Sequence, residues 1–562
     1  MLSSSGRSKK GKLAEIKDVA RRAGIPAKYV EIQGRYKAKI NLDFLKGKST
    51  RHKGKYILVS AITPSPFGEG KTVTTIGLSM ALNRMGKKSI VCLRQPSMGP
   101  IFGAKGVGTG GGRSQVLPNG DINLHFTGDI HAVGVAHNIL AAFLDNSIFR
   151  GNKLDINPKA VMWRRVLDIN DRSLRNVKIG LGESGSSRDS GFDITVASEL
   201  MAILALSRDI EDMRRRLDRV VVALTTAGKP VTAKDLNVAG AMAALLKEAI
   251  KPNLVQTTEQ TPCLIHTGPF ANIAHGNSSI IADKMALAVS DYVVTESGFG
   301  ADLGGEKFFD IKCRTSGLVP DAAVLVSTVR SLKMHGGKFK MIAGKPVDKK
   351  LFRENLGALE KGCANLERQI KNIKKFGIPV VVVINKFSTD TAKEIILVRK
   401  KALLAGADDA VVSELWERGS KGGTELAKAV ILAAGSKNRF KFLYGLNSPI
   451  KDKIEKIAKE IYGATRVIYS TIADSAIARY EKLGYGKLPV CIAKTHLSLS
   501  ADPSVKGAPK GFTLPVRDVH LSAGAGFITP ICGTITTMPG LPANPIGTRI
   551  DIDKKGDIIG LS

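Results

Sequence analysis

The chain has 562 residues, of which 43% are hydrophobic and 24% are charged, as in folded globular proteins. This length suggests roughly three or four domain-sized units. No apolar run reaches the about 18 uncharged residues that a transmembrane helix needs, so we expect no membrane span. The six cysteines are scattered without a CxxC pair. This usage argues against a zinc site or a disulfide framework and is typical of a reducing, cytoplasmic setting.

The charge of the chain is strongly positive. The formal net charge at pH 7 is +34, and residues 1–55 alone hold 16 Lys and Arg against 4 Asp and Glu. Such a charge suits a plainly solvated surface, attraction of small polyanions, or nonspecific nucleic-acid binding. Aromatic residues make up only 5%, and no RNA-binding signature occurs, so nucleic acid is not an expected partner. Residues 1–12 form a basic N-terminal tail that lacks the apolar face of a targeting helix.

The first elements predicted in chain order are a helix, a strand, a loop and a second helix. Residues 13–30 have the spacing of an amphipathic helix that ends near Gly24. An apolar strand follows at 56–62, and residues 73–85 show helical periodicity. The sequence between them, at 63–72, is TPSPFGEGKT. A buried strand, a glycine-containing turn and a helix that begins at Gly-Lys-Thr direct backbone N–H groups toward a phosphate.

This loop predicts a nucleotide-binding site. We expect ATP to contact Ser65, Pro66, Phe67, Gly68, Glu69, Gly70, Lys71 and Thr72. In such a loop Lys71 reaches the β- and γ-phosphates, and the Thr72 hydroxyl binds the accompanying Mg²⁺. Ser65 stands where the usual pattern has its first glycine. The alternative is a turn that merely connects two elements, which does not account for Lys71 and Thr72 directly after Gly70.

A second strand, at 88–93, is followed directly by Arg94. Ligands of open α/β sheets bind at the carboxyl ends of strands, so we expect Arg94 at the same edge as Lys71. A guanidinium and an ammonium group there would stabilise a phosphoryl or acyl-phosphate group. The alternative for Arg94 is a surface position at a strand end. Residues 103–112 contain six glycines, which predicts a flexible or closely approached loop.

Two histidines and an aspartate lie close together at 123–131, as His125, Asp129 and His131. Metal binding is one interpretation, although the spacing matches no firm zinc motif. A polar turn without a ligand is the other, and the pattern alone favours it.

The remaining pattern alternates strands with helices. Strands are predicted at 219–224, 263–266, 290–295 and 378–384, and helices at 194–206, 239–250 and 391–405. This alternation predicts an α/β fold with a mostly parallel sheet flanked by helices, similar to P-loop NTPases, plus smaller α/β domains. Residues 305–375 turn basic and mixed, which predicts an excursion from the sheet. The predicted division is a tail at 1–12, a nucleotide-binding domain at 13–305, a second α/β domain at 306–450 and a C-terminal α/β domain at 451–562.

The strand at 378–384 is followed by Asn385 and Lys386, a pair similar to the guanine-reading Asn-Lys-x-Asp loop of GTPases. Ser388 stands where that loop has its Asp, so the sequence favours ATP over GTP. Phe387 and Trp416 are candidates for exposed loops, where flat rings could enclose a pterin or a base. For either ring alone, packing in the core is the favoured alternative.

These motifs together resemble the formate–tetrahydrofolate ligase (10-formyltetrahydrofolate synthetase) family, from about residue 13 to the C-terminus. The matching blocks are 63–72, 94–100 (RQPSMGP), 124–131 (LHFTGDIH), 268–276 (GPFANIAHG), 295–302 (TESGFGAD), 521–527 (LSAGAGF) and 538–542 (MPGLP). Several long blocks in one order are far more specific than any single loop.

The resemblance implies ATP-dependent joining of formate to tetrahydrofolate through formyl phosphate. It further implies that Arg94 holds formyl phosphate, that Phe387 and Trp416 enclose the pterin, and that Phe299 contacts the nucleotide. His125, Thr127, Asp129 and His131 would line the active cleft. The family also implies a homotetramer and activation by K⁺ or NH₄⁺. The positive charge would then attract ATP or polyglutamylated folate.

Two departures from the family pattern stand near the expected site. Gln95 replaces a Glu that often follows the Arg, and Arg113 replaces a Tyr after the glycine-rich loop. Two other functions remain alternatives: a P-loop acyl- or phosphotransferase with another acid substrate, and a catalytically weakened paralogue that binds polyanions such as RNA. Intact Lys71, Thr72 and Arg94 argue against the second of these.

Overall fold

The protein is described by a computed structural model. Its described residues are 13–46, 54–66, 68–103, 107–182, 187–337, 339 and 348–561. The basic tail predicted at 1–12 and the predicted ATP contact Phe67 lie outside these residues.

The strands of the described residues are as follows. They are β1 (Val30–Ile32), β2 (Ala38–Ile40), β3 (Lys55–Ala61), β4 (Ser89–Leu93), β5 (Gly110–Gly111), β6 (Ser114–Leu117), β7 (Ile156–Val161), β8 (Arg165–Leu167), β9 (Val177–Ile179), β10 (Arg188–Ser190), β11 (Phe192–Ile194), β12 (Val221–Thr225), β13 (Pro230–Thr232), β14 (Asn253–Thr257), β15 (Pro262–Ile265), β16 (Tyr292–Glu296), β17 (Ala322–Ser327), β18 (Val380–Asn385), β19 (Asp409–Ser413), β20 (Arg466–Tyr469), β21 (Thr513–Val516), β22 (Asp518–Ser522), β23 (Phe527–Ile531), β24 (Asp551–Ile552) and β25 (Ile558–Ile559).

The α-helices lie between and around these strands. They are α1 (Ile16–Ala23), α2 (Lys71–Arg84), α3 (Met98–Phe102), α4 (Asn119–Asn123), α5 (Asp129–Phe149), α6 (Glu199–Leu206), α7 (Ile210–Asp218), α8 (Ala239–Leu245), α9 (Ile280–Leu287), α10 (Arg314–Ser316), α11 (Val329–Gly336), α12 (Leu356–Lys375), α13 (Ala392–Leu404), α14 (Leu415–Arg418), α15 (Thr424–Gly435), α16 (Ile450–Ile457) and α17 (Thr471–Lys482). Wider π-helical turns occur at Ala301–Gly305, Phe308–Cys313 and Ala458–Tyr462.

One large sheet organises the fold, with its strands in the order β1, β2, β14, β15, β4, β16, β3, β17, β18, β19. All neighbours from β15 to β19 are parallel, whereas β1, β2 and β14 pair antiparallel at one edge. This arrangement confirms the predicted α/β fold with a mostly parallel sheet. The central residues of its parallel strands are mostly apolar because both faces are covered, and alternate residues point to opposite faces. Thus Val381 and Val383 of β18 join one hydrophobic cluster, and Val380 and Val382 join another.

Two expectations about the sheet were wrong. The segment 305–375 is no excursion, because it supplies β17, which lies fully buried between β3 and β18. Its apolar run, 324–326, is short and lies in a segment that is otherwise basic and mixed. The strand predicted at 219–224 exists as β12, but it pairs antiparallel with β7 and β13 in a separate sheet. The domain boundary predicted after residue 305 lies between two strands of the large sheet, β16 and β17.

Helices α1 and α5 differ from the sequence-based prediction, α1 in its length and α5 in its apolar composition. Helix α1 is shorter than predicted, but it ends at Gly24, whose φ of 75° closes the helix in the left-handed region. Helix α5 is the one helix among the described residues that is long and apolar enough to cross a membrane, judged by length and composition. One face of α5 supplies Val133, Leu140 and Leu144 to the main hydrophobic core. Such a helix is a weak indication of a membrane span.

Candidate active site

The predicted phosphate loop connects β3 to α2 near the centre of the large sheet. Gly68 and Gly70 have φ angles of 70° and 78°, in the left-handed region that a side chain disfavours. Lys71 is the first residue of α2. The loop therefore places the N-terminus of a 14-residue helix, with its free N–H groups, at the carboxyl end of β3.

Ser65, at the position of the missing glycine, closes the loop with hydrogen bonds. Its N–H donates to Glu69 Oε1 at 2.7 Å, and its hydroxyl lies 2.8 Å from the hydroxyl of Ser331 on α11. Its carbonyl accepts from the Gly68 N–H at 3.1 Å. Burial raises the pKa of Glu69, while the nearby Lys71 charge and the Ser65 N–H oppose that rise. Only the hydroxyl contact with Ser331 requires a serine at this position, and it joins the loop to α11.

Asn385, at the end of β18, supports the same loop from the other side. Its Nδ2 donates to the Glu69 carbonyl at 2.8 Å, and a Cβ on Gly70 would lie 2.8 Å from that nitrogen. Lys386 pairs with Glu414 at 3.0 Å. Asn385 and Lys386, the pair similar to a base-reading motif, thus contact the phosphate loop and Glu414, which follows β19.

Lys71 and Arg94 line one cleft, together with Glu296 at the end of β16. Burial lowers the pKa of Lys71, and the charge of Arg94 lowers it further, while Glu69 and Glu296 oppose the shift. Arg94 Nη2 lies 3.8 Å from Glu296 Oε1, and its Nη1 donates to the Pro269 carbonyl at 3.3 Å. Arg94 Nε is buried without a hydrogen-bond partner in the described part of the chain. The site therefore brings two cations, Lys71 and Arg94, together with the carboxylates of Glu69 and Glu296, and the Arg94 Nε–H can still donate to a bound anion.

Glu296 is a site residue that the sequence motifs did not identify. The Thr72 hydroxyl donates to Glu296 Oε2 at 2.9 Å. Hydroxyl and carboxylate oxygens are ligands that suit Mg²⁺, so both residues fit the metal that accompanies ATP. The available signal was an acidic residue at the end of the apolar strand predicted at 290–295.

The cleft has a volume of about 630 Å³. It is lined by Pro64, Ser65, Pro66, Gly68, Glu69, Gly70, Lys71, Thr72, Val73, Arg94, Gln95, Pro96, Ser97, Pro100, Ile101, Val107, Gly108, Gly110, Gly268, Phe270, Ala271, Glu296, Gly298, Phe299, His496 and Leu497. Every predicted ATP contact in the described residues is therefore in this cleft, including Phe299. His496 and Leu497 come from the C-terminal part of the chain and carried no signal in the sequence.

His125 and His131 lie in a neighbouring cavity of about 300 Å³, which shares Gln95 with the cleft. Asp129 is buried there and pairs with Lys39 Nζ at 2.7 Å, so it attaches α5 to β2, between β1 and β14. Thr127 donates to Asn253 Oδ1 on β14 at 2.8 Å. Among the described residues, no group of three or more His, Cys, Asp or Glu side chains could hold a metal ion.

The two rings predicted for folate lie outside the residues that line the cleft. Phe387 is in the loop after β18, whereas Trp416, which we expected in a loop, lies in the short helix α14 after β19. Phe387 is half-buried, with the Arg330 guanidinium 3.7 Å from its ring centroid. The Trp416 side chain is exposed, and Gly111 and Gly112 pack directly against it. A Cβ on Gly111 would lie 2.1 Å from Trp416 Cζ3, so only glycine fits there. This close approach explains part of the glycine-rich loop.

A family model described as formate--tetrahydrofolate ligase matches residues 4–562. The chain belongs to the formate–tetrahydrofolate ligase family. This match confirms the family resemblance of the sequence blocks, over nearly the whole chain.

Proteins named formate--tetrahydrofolate ligase are similar to this chain along their whole length. The protein of Desulforamulus reducens is 55% identical over 548 residues, which cover 97% of each chain. That of Roseiflexus castenholzii is 55% identical over 553 residues and 98% of each chain. That of Chloroflexus aurantiacus is 54% identical over 560 residues and 98% of each chain. The two departures at Gln95 and Arg113 thus occur within a clear member of the family.

Proposed function

We propose that this protein joins formate to tetrahydrofolate at the expense of ATP, giving 10-formyltetrahydrofolate, ADP and phosphate. The observation that carries the proposal is the convergence of Lys71, Arg94 and Glu296 in the cleft beside Thr72. An anion site at the N-terminus of a helix, in a member of this ligase family, suits transfer of the ATP γ-phosphoryl group.

The first step is phosphoryl transfer to formate. A formate oxygen attacks the γ-phosphorus, the bond to the bridging oxygen breaks, and ADP leaves, which produces formyl phosphate. Lys71 and Arg94 stabilise the negative charge on the transferring group, and the free N–H groups at the start of α2 bind the β-phosphate. Thr72 and Glu296 would hold Mg²⁺, which neutralises phosphate charge when bound. The reaction needs positioning and charge, and no protein nucleophile takes part.

The second step transfers the formyl group. N10 of tetrahydrofolate attacks the formyl carbon, the C–O bond to phosphate breaks, and inorganic phosphate leaves as the nitrogen loses its proton. Arg94 holds the phosphate end of formyl phosphate. His125 and His131, in the cavity that adjoins the cleft at Gln95, are our proposed proton-handling residues in this step.

The pterin is assigned to Phe387 and Trp416. This assignment is supported by the exposed Trp416 ring and by the glycine-rich loop that packs closely against it. A flat ring exposed on a short helix offers stacking area to a flat ligand. The basic chain would favour folates that carry a negatively charged polyglutamate tail.

Further properties follow from the family and remain proposals. We propose a homotetramer, activation by K⁺ or NH₄⁺, and a cytoplasmic location without membrane or nucleic-acid partners. Light scattering after size-exclusion chromatography measures the assembly. Turnover in K⁺ or NH₄⁺ compared with Na⁺ at equal ionic strength measures the activation.

The activity is tested with purified protein, MgATP, formate and tetrahydrofolate. We expect 10-formyltetrahydrofolate and ADP in equal amounts, with no ADP when formate is omitted. Absence of folate-dependent product at saturating substrates would reject the proposal. Turnover with another small acid, but not with formate, would favour the alternative acyl- or phosphotransferase. RNA binding that salt weakens, without turnover, would favour the polyanion-binding paralogue.

A further inference from the structure

The rings of Phe299 and His496 stack on each other at the wall of the cleft. Their centroids are 4.2 Å apart and their planes differ by 17°. Both residues are half-buried, and both line the cleft that contains Lys71. A stacked pair of rings at a cleft wall offers a large, flat and rigid surface to a third flat ring.

The backbone at Phe299 is held in a costly conformation. Phe299 has a φ of 59°, in the left-handed region that side chains with a Cβ rarely adopt. Its neighbour Gly298 is in close contact, since a Cβ there would lie 2.5 Å from the Ala271 side chain and 3.1 Å from Arg94 Nη1. Strained residues that the surrounding structure fixes are concentrated at ligand sites. The strain therefore supports a binding role for this ring.

A buried ion pair fixes the two rings relative to each other. Asp302, three residues after Phe299, accepts a hydrogen bond from Lys494 Nζ at 3.0 Å, and Lys494 lies two residues before His496. The side chains of this pair are 1% and 0% exposed. Because such a pair is costly to break, the segments that carry the rings are joined firmly.

The same network reaches the phosphate loop. Gln369 Nε2 on α12 donates to Asp302 Oδ1 at 2.8 Å and to Thr63 Oγ1 at 3.1 Å. Thr63 is the second residue after β3 and leads directly into the loop. Buried hydrogen bonds therefore connect the ring pair to Thr63, at the start of the loop that carries Lys71.

We propose that His496 is a nucleotide-binding residue and that its ring, together with Phe299, forms the platform against which the purine base of ATP lies. This proposal rests on the proposed function, because the phosphate loop in the same cleft indicates that the flat ligand is the purine base of ATP. If the triphosphate lies at the start of α2, the base of the same ATP molecule must lie elsewhere in this cleft. Among the residues that line the rest of the cleft, Phe299 and His496 offer a stacking surface. The pterin ring is assigned to a different pair of side chains, Phe387 and Trp416.

Binding of ADP to the full-length protein, measured by calorimetry without formate or folate, tests the proposal. We expect His496→Ala to raise the Kd for ADP and the KM for ATP roughly tenfold, as loss of a base–aromatic stack does. His496→Phe keeps a ring and is expected to retain near wild-type values. His496→Gln replaces the ring with an amide and should weaken binding as alanine does. The KM for tetrahydrofolate should stay unchanged in all three variants.

His520→Ala is the matched control, because His520 lies exposed on β22. Unchanged ADP binding in both His496→Ala and His496→Gln would overturn the proposal. A rise confined to the KM for tetrahydrofolate would also overturn it, since the platform would then serve the pterin. A wild-type protein that does not bind ADP would instead reject the nucleotide-dependent function itself. Thermal unfolding of each variant shows that weakened binding is not a loss of folded protein.

Discussion

The Thr72 hydroxyl donates a hydrogen bond to Glu296 Oε2 at 2.9 Å, which joins the first turn of α2 to the end of β16. The other carboxylate oxygen of Glu296 lies 3.8 Å from Arg94 Nη2. The Glu296 carboxylate thus lies between Thr72, which we propose binds Mg²⁺, and Arg94, which we propose binds formyl phosphate. This placement makes Glu296 the most informative residue to replace.

Glu296→Gln is expected to raise the Mg²⁺ concentration needed for half-maximal turnover by about 10- to 100-fold. Loss of a carboxylate that binds or orients a metal has an effect of that size. A Mg²⁺ titration of turnover at fixed ATP measures it. Glu425→Gln, which removes an exposed carboxylate of α15, is the control and should leave the titration unchanged. An unaltered Mg²⁺ requirement in Glu296→Gln would return Glu296 to a structural role.

Lys71→Ala is expected to reduce kcat by roughly 10³-fold or more, because a cation at the transferring phosphoryl group stabilises the transition state. The folded protein should be retained, since burial already lowers the pKa of Lys71 and disfavours its charged form. Single-turnover ADP formation and the midpoint of thermal unfolding measure the two effects. Lys428→Ala, at an exposed site on α15, is the matched control. A rate near that of the wild type would refute the role of Lys71.

We expect the buried His335 to lower the free energy of unfolding in mild acid. It is buried on α11, its Nε2 donates to the Thr63 carbonyl at 2.8 Å, and its Nδ1 accepts from the Gly507 N–H at 3.2 Å. Burial lowers the pKa of His335 to about 4, from about 6.5 in the unfolded chain. Between these values the unfolded state binds more protons, so the free energy of unfolding falls as the pH falls from 6.5 to 4.

His335→Ala should therefore be less stable than the wild type at pH 7.5 but lose less stability on acidification. The difference in that loss is on the order of 2–3 kcal/mol, at about 1.36 kcal/mol per pKa unit. Denaturant unfolding at several pH values measures it. His520→Ala, at an exposed site, should follow the wild-type pH dependence. Equal losses in His335→Ala and the wild type would exclude His335 as a source of the acid sensitivity.

Trp416→Ala is expected to raise the KM for tetrahydrofolate roughly tenfold, from loss of one stacking surface, with little effect on the KM for ATP. Phe442→Ala removes another exposed ring and is the control. Gly111→Ala should act in the same direction, because its new methyl group would collide with the Trp416 ring. Steady-state kinetics with each substrate varied in turn separates the constants. An unchanged folate constant in Trp416→Ala would leave this ring with a packing role.

The phosphate loop, α2 and the strand before Arg94 could be predicted because each is a local pattern. An apolar run, a glycine turn and Gly-Lys-Thr lie within 20 residues of one another, and the pairing of parallel strands then determines the shared edge. The strand β17 was missed because its apolar run is short and lies in an otherwise basic segment, although its burial between two strands determines its structure. Glu296 was visible at the end of a predicted strand, but nothing local connected it to Thr72.

The amino-acid sequence alone determined the fold class, the position of the phosphate loop and the family, since these depend on periodicity, short spacings and ordered blocks. Only the tertiary structure decided which distant groups meet that loop. Asn385 supports Glu69 across 316 positions, and Lys494 reaches Asp302 across 192. The tertiary structure also places His125 and His131 in a cavity beside the cleft and not in the cleft itself. Such contacts depend on strand order and on buried polar groups finding partners, which the whole folded chain decides.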